Sequence, residues 1–92
     1  MTRIVQTEGV LGGEPRIDGT RVGVLDIYEL VIDGSYSPED VADQLDRTLA
    51  EVYAALAYYY DNPETMRRLR GERDETRKML ADEALQPPER VH

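Results

Sequence analysis

The stretch Gly12-Gly13-Glu14-Pro15-Arg16-Ile17-Asp18-Gly19-Thr20-Arg21-Val22 decides how this chain folds. Asp18-Gly19 is a turn signal between β-branched residues, and such a pair supplies the positive φ angles of a two-residue hairpin turn. Residues 16–22 are therefore predicted to form a tight hairpin, with Ile17 and Val22 on one side and Arg16 and Arg21 on the other. Upstream, Arg3-Ile4-Val5-Gln6-Thr7 is β-branched and alternating, which suits an edge strand. Between the two, the glycines and Pro15 of residues 9–15 rule out helix.

Downstream the pattern turns helical. Val24, Ile27, Tyr28 and Val31 form an apolar stripe over residues 24–33, and Asp26, Glu29 and Asp33 form an acidic face at the same period. Gly34 is predicted to end this helix as a left-handed cap. Ser37-Pro38-Glu39-Asp40 starts the next one, with a serine cap, proline at the first position and acids in the first turn. Its inward residues are Val41, Ala42 and Leu45. Thr48-Leu49-Ala50-Glu51 is a capping box that opens a third helix. Leu49, Val52, Tyr53, Leu56 and Tyr60 form its expected core stripe, and Ala50, Ala54 and Ala57 a face of small residues. Two helices across so short a turn have helix-turn-helix spacing. Asn62-Pro63-Glu64 begins a further helix to about residue 83, whose apolar positions Met66, Leu69, Met79 and Leu80 are too few for deep packing. Glu64 with Arg68, and Asp74 with Lys78, lie four apart and should steady it. Gly71 weakens its middle, and Gln86-Pro87-Pro88 should end regular structure before a disordered terminus. The expected fold is mainly α: a small helix-turn-helix-like domain over residues 1–61 with a short N-terminal strand and hairpin, then a charged C-terminal helix and tail over 62–92.

Ninety-two residues with 40% hydrophobic and 33% charged side chains suit a globular domain with a modest core. Without Phe or Trp, that core rests on aliphatic residues and tyrosines, and a second copy is expected to complete it as a homodimer. The lack of Cys excludes disulfides and thiolate metal sites. No apolar run is long enough for a signal peptide or membrane span, so a cytoplasmic protein is expected. The net charge is −8, and Lys78 is the single lysine beside ten arginines, a composition that keeps proteins hydrated in concentrated salt and points to a halophilic source. Residues 1–60 carry eleven acids and four arginines, whereas residues 61–92 carry eight acids and seven bases.

The 10–22 stretch resembles the opening motif of the domain-of-unknown-function 433 family, in which Gly-Lys-Pro precedes an apolar residue and Gly-Thr-Arg. Asp33-Gly34, the Ser37-Pro38-Glu39 cap and Ala54-Ala55-Leu56-Ala57-Tyr58-Tyr59 follow in the same order. Coverage runs over about residues 9–60. The resemblance implies a compact, often dimeric helix-turn-helix-like domain, grouped with VapB-like antitoxins that commonly accompany a PIN-like ribonuclease toxin. Glu14 departs from the pattern where members often carry Lys, and the tail beyond Asp61 lies outside the family domain.

Enzyme chemistry has little to work with. The single histidine is His92 and there is no cysteine, so a nucleophile-and-base pair is hard to assemble. Gly12-Gly13 lacks the Gly-Lys-Ser/Thr ending of a phosphate loop, the acidic face of Asp26, Glu29 and Asp33 reads as solvated, and no cofactor or metal site is expected. The nominal recognition helix presents Ala50, Glu51, Ala54 and Ala55, with no side chain suited to reading base edges. Any contact with operator DNA would fall to Arg3, Arg16 and Arg21; alternatively Arg21 pairs with an acid of its own domain. With Tyr60 assigned to the inner stripe, Tyr58 or Tyr59 is left as an interface anchor or as filling beneath the tail helix. Arg67, Arg68, Arg70 and Arg73 either neutralise their own helix or lie along the carboxylates of a PIN-like nuclease. The function expected from the family resemblance and these residues is an antitoxin that blocks such a nuclease by direct contact, with a DNA-binding autorepressor as the alternative.

Overall fold

Hydrogen bonds around the Gly-Thr-Arg stretch organise the N-terminal part of the chain, in a computed structural model that describes residues 2–85. Strand β1 (Ile4–Val5) pairs antiparallel with β2 (Arg16–Ile17), Ile4 opposite Ile17 and Val5 opposite Arg16. On its other side Arg16 bridges to Gly23, and the Ile17 amide donates to the Val22 carbonyl at 2.9 Å. The expected hairpin therefore exists, but its loop is residues 18–21 rather than two residues. Gly19 alone in that loop has positive φ, +78°, so the two successive positive φ angles of the expected turn are absent. The Thr20 amide closes on the Ile17 carbonyl at 3.1 Å. The Thr20 hydroxyl donates to the same carbonyl at 2.8 Å and accepts from the Val22 amide at 3.0 Å. Threonine at this position thus staples both sides of the loop.

Four α-helices follow among the described residues: α1 (Val24–Tyr28), α2 (Pro38–Leu45), α3 (Leu49–Asp61) and α4 (Pro63–Leu85). Helix α1 starts where the Gly23 amide donates to Asp26 Oδ2 at 3.0 Å, and it widens into a π turn over Glu29–Asp33. The expected left-handed cap at Gly34 is not formed. Gly34 sits at φ −87° and Ser35 takes the left-handed conformation at φ +58°. Glycine is needed at 34 for space, because a Cβ there would lie 2.8 Å from the Leu30 carbonyl oxygen and 3.0 Å from the Tyr36 ring.

The two predicted caps form as read. Ser37 accepts from the Asp40 amide at 3.1 Å. Thr48 and Glu51 exchange side-chain-to-backbone bonds of 3.1 and 2.8 Å. Between α2 and α3, Asp46 turns the chain in the left-handed region at φ +54°, giving the helix-turn-helix connection.

The core gathers Ile17, Val24, Leu25, Ile27, Tyr28, Val41, Val52, Ala55, Tyr59 and Met66. Two assignments change here. The inner stripe of α3 is Val52, Ala55, Leu56 and Tyr59, which keeps Val52 and Leu56 of the expected stripe but is rotated toward Ala55 and Tyr59. Leu49, Tyr53 and Tyr60 are 38%, 51% and 59% exposed. Small Ala55 faces the core beside Val52, and Tyr59 rather than Tyr60 stacks on the Tyr28 ring. Met66 is the second change: it is fully buried, so the base of α4 packs more deeply than its sparse apolar content suggested. Farther along, Met79 and Leu80 stay exposed and the helix extends outward, in a molecule measuring 57 × 27 × 23 Å. Observed helix pairs are Arg68 with Glu72 at 2.9 Å and Arg77 with Asp74 at 3.6 Å, in place of the two predicted. The expected end of structure at Gln86 and the tail beyond it lie outside the described residues.

Candidate functional site

The densest polar arrangement of the described residues lies where α4 crosses α1. Acids 26, 29 and 33 and arginines 70, 73 and 77 share the same spacing of three and four residues, so each set occupies one helix face. The two faces meet antiparallel. Arg70 Nη2 donates to both carboxylate oxygens of Asp33 at 2.8 Å. Arg73 reaches Glu14 Oε1 at 2.6 Å, Asp26 Oδ1 at 2.9 Å and Glu29 Oε1 at 3.3 Å. Arg77 donates to the same Glu29 oxygen at 2.8 Å. Asp26 serves two ends, one oxygen on the start of α1 and the other on Arg73. The acidic face expected to be solvated is therefore covered by the chain's own helix.

Charge explains the strength of this joint. Burial pulls the Arg73 guanidinium toward losing its proton, but the Asp26 hydrogen bond and the charges of Asp26, Glu14 and Glu29 outweigh it and hold its pKa above the usual arginine value. The Asp33 hydrogen bond, and then the Asp33 charge, raise that of Arg70 against some desolvation. Glu29 raises that of Arg77, first by hydrogen bonding and then by charge. Arg73 is the best shielded of the three arginines, its side chain 19% exposed. Glu29 Oε2 has no hydrogen-bond partner.

Of the four tail arginines singled out in the sequence, Arg70 and Arg73 are in this joint. Arg68 pairs along its own helix, and Arg67 is exposed without an ion pair among the described residues. Sequence reasoning missed Arg77 and the four acids as partners. The matched spacing of the two charge sets was the signal available. Glu14 also acquires a local role here, since it lies 2.6 Å from Arg73 of the tail.

The tyrosines are redistributed. Of the two tyrosines read as interface anchor or as filling, Tyr59 is core: its ring stacks on Tyr28 at a centroid distance of 3.6 Å and 7° between planes. Tyr58 is half-buried and its carbonyl accepts from Asn62 Nδ2 at 3.0 Å. Tyr60 packs edge-on against both rings, at 6.1 Å from Tyr28 and 5.4 Å from Tyr59. Arg70 lies over the Tyr28 ring, 5.1 Å from its centroid, so the ion-pair face and the tyrosine stack adjoin. Burial raises the Tyr28 phenol pKa above its ordinary value, and the Tyr59 hydrogen bond adds to this while Arg70 opposes it. The face that α3 leaves uncovered carries Leu49, Ala50, Tyr53, Ala57 and Tyr60.

The three arginines considered for DNA differ in role. Arg16 is spent internally: Nη1 donates to the Thr20 carbonyl at 3.0 Å and Nη2 to the Thr7 hydroxyl at 2.9 Å, tying the loop to the segment after β1. It is half-buried and unsuited to a phosphate. Arg3 and Arg21 are exposed and make no ion pair among the described residues. Arg3 lines an open groove of about 720 Å³ with Thr2, Asp18, Thr48 and Glu51 among its walls. The Thr48 amide holds the Glu51 carboxyl below its ordinary pKa despite some desolvation. This keeps a negative charge at the start of α3, where a DNA backbone would have to approach. Among the described residues no group of three or more acidic or histidine side chains is arranged to hold a metal ion, and no helix is long and apolar enough to cross a membrane.

The segment that builds the sheet, the loop and helices α1 to α3 is also the segment that a family model recognises. Residues 4–59 match the family described as "Protein of unknown function (DUF433)". The chain belongs to the DUF433 family. The match ends at Tyr59, so α4 and the arginine half of the charged joint lie beyond the family domain, while Glu14, Asp26, Glu29 and Asp33 lie within it. No curated protein and no solved structure matches the chain.

Proposed function

We propose that this DUF433 protein is a cytoplasmic antitoxin that neutralises a PIN-like ribonuclease by direct protein–protein contact. The observation that carries this is the behaviour of α4: one of its arginines is bound by three carboxylates at once, between 2.6 and 3.3 Å. PIN-like nucleases gather carboxylates around their metal, and a guanidinium fork suits such a cluster. Arg67, Arg68, Arg70 and Arg73 are the residues assigned to that contact. A homodimer belongs to the same proposal, with the uncovered face of α3, carrying Tyr53, Ala57 and Tyr60, as the surface offered to a second copy.

The test is capture from native lysate with the full chain as bait, followed by mass spectrometry and a ribonuclease assay on the recovered partner. A PIN-like nuclease whose activity falls when the full chain is added supports the proposal. Recovery of no nuclease, or equal inhibition by a chain ending at Asp61, contradicts the tail contact. Operator binding is the second proposal, favoured by exposed Arg3, which shares a groove with Thr48 and Glu51, and by exposed Arg21. It requires a mobility shift that weakens with salt and is lost on Arg3→Ala with Arg21→Ala.

A further inference from the structure

Helix α4 is held in two different ways along its length. Its base is fixed by Met66, which is fully buried, and by Leu69, which packs on the core. Beyond the base, contact with the body passes through Arg73 and Arg77, and still farther out Met79 and Leu80 are 62% and 59% exposed. Gly71 lies between the two regimes, with no atom within 4 Å of where its Cβ would be. Glycine inside a helix lowers the cost of breaking it there. A residue that packs against nothing and weakens the helix sits at the boundary between apolar anchorage and ionic anchorage.

We propose that α4 beyond Gly71 is a latched arm, closed by Arg73 in the Glu14, Asp26 and Glu29 cradle and opened by a protein surface whose carboxylates compete for the same arginines. The closed state is self-inhibiting in a defined sense: Arg73 cannot engage an external carboxylate while three internal ones hold it. Opening releases Arg73 and Arg77 together, because both use Glu29. Met79 and Leu80, already exposed in the closed state, move with the released charges. Arg70, paired with Asp33 and lying over the Tyr28 ring, is on the anchored side of Gly71 and is not part of the latch. The competition step rests on the antitoxin proposal; the latch does not.

Distance measurement on the full chain separates the two. The sequence has no cysteine, so Gln44→Cys on α2 and Glu75→Cys on α4 place two spin labels without further changes. The closed latch gives one narrow label–label distance. Arg73→Ala adds a second population, raised about fivefold or more over the native protein, as the loss of a stabilisation of about 1 kcal/mol implies. Gly71→Ala in the Arg73→Ala background reduces that population, since alanine restores helix strength and meets no neighbour. A distribution that stays equally narrow after Arg73→Ala, or that Gly71→Ala leaves unaltered, overturns the latch. Polyglutamate peptide at matched ionic strength, with neutral polyglutamine as the control, opens the native arm if carboxylates compete. An unchanged distribution with polyglutamate overturns the competition step while leaving the latch standing. No nuclease enters the experiment, so its result is independent of which toxin, if any, is the partner.

Discussion

The body of residues 4–59 and the helix that follows it hold themselves in place by opposite means. In the body, fully buried Val24, Leu25, Ile27, Val41 and Val52 form one apolar cluster, and no charged side chain is fully buried among the described residues. Beyond Leu69, α4 buries no hydrophobic side chain among the described residues and depends on guanidinium–carboxylate contacts. The hydrophobic effect is non-directional and little affected by moderate salt, whereas partly exposed ion pairs weaken as ions screen them. The division falls on α4, beyond the end of the family match. The recognised segment ends at Tyr59, the ring that stacks on Tyr28, and the ionic arm lies outside it. A family domain stabilised by packing can thus carry an appended helix whose docking responds to conditions that leave the domain intact.

The largest expected effect breaks the body. Ile27→Ala removes a fully buried side chain and should cost about 2–5 kcal/mol in urea unfolding. Met66→Ala should fall in the same range although it lies on α4, which would place the functional boundary after Leu69 rather than at the start of that helix. Next comes Arg73→Ala, which leaves three carboxylates facing one another and should cost about 1–2 kcal/mol at low salt. The cost should shrink in 1 M salt, where the screening length is about 3 Å, while that of Ile27→Ala should not. Thr48→Ala removes one half of the α3 capping box and should cost about 0.5–2 kcal/mol by thermal or urea unfolding. Its effect belongs to the body and should not alter the docking of α4.

The smallest expected effect is spectroscopic. Burial raises the Tyr28 phenol above the ordinary tyrosine pKa, so the folded state binds that proton more tightly than the unfolded chain. Its contribution to stability is complete below the ordinary tyrosine range and is lost as pH rises through the raised value. Ultraviolet titration should show a tyrosine step above the ordinary phenol range, and Tyr28→Phe should remove that late step. Arg70→Ala should push it later still, because Arg70 favours the phenolate.

Much of the fold was legible because local chemistry decided it. Ser37, Pro38, Thr48 and Glu51 mark two helix starts through hydrogen bonds made within a few residues, and no distant contact overrides them. The Asp18-Gly19 turn was legible as a turn but not as a four-residue loop, since the Thr20 side chain, not the Asp-Gly pair, sets its register. The α3 stripe was misassigned because two faces of an alanine- and tyrosine-rich helix have helical spacing. Close approach at Ala55 and the Tyr28–Tyr59 stack choose between them, and both are tertiary. Arg16 was misassigned for a similar reason: the Thr20 carbonyl and Thr7 hydroxyl that occupy it meet only after the strand pairs. In the charged joint, Asp26, Glu29 and Asp33 and the tail arginines were each visible as a face. Their pairing spans 37 to 59 residues along the chain, so only the folded structure brings them together.

Amide hydrogen exchange across the full chain tests the contrast between body and arm most directly. Amides of α1 and α3 should exchange only through global unfolding, while those of α4 beyond Gly71 should exchange faster through local opening. Arg73→Ala should speed exchange in that segment about fivefold or more without changing the rates in α3. Protection beyond Gly71 equal to that of α3, unmoved by Arg73→Ala, would contradict an arm held by charge.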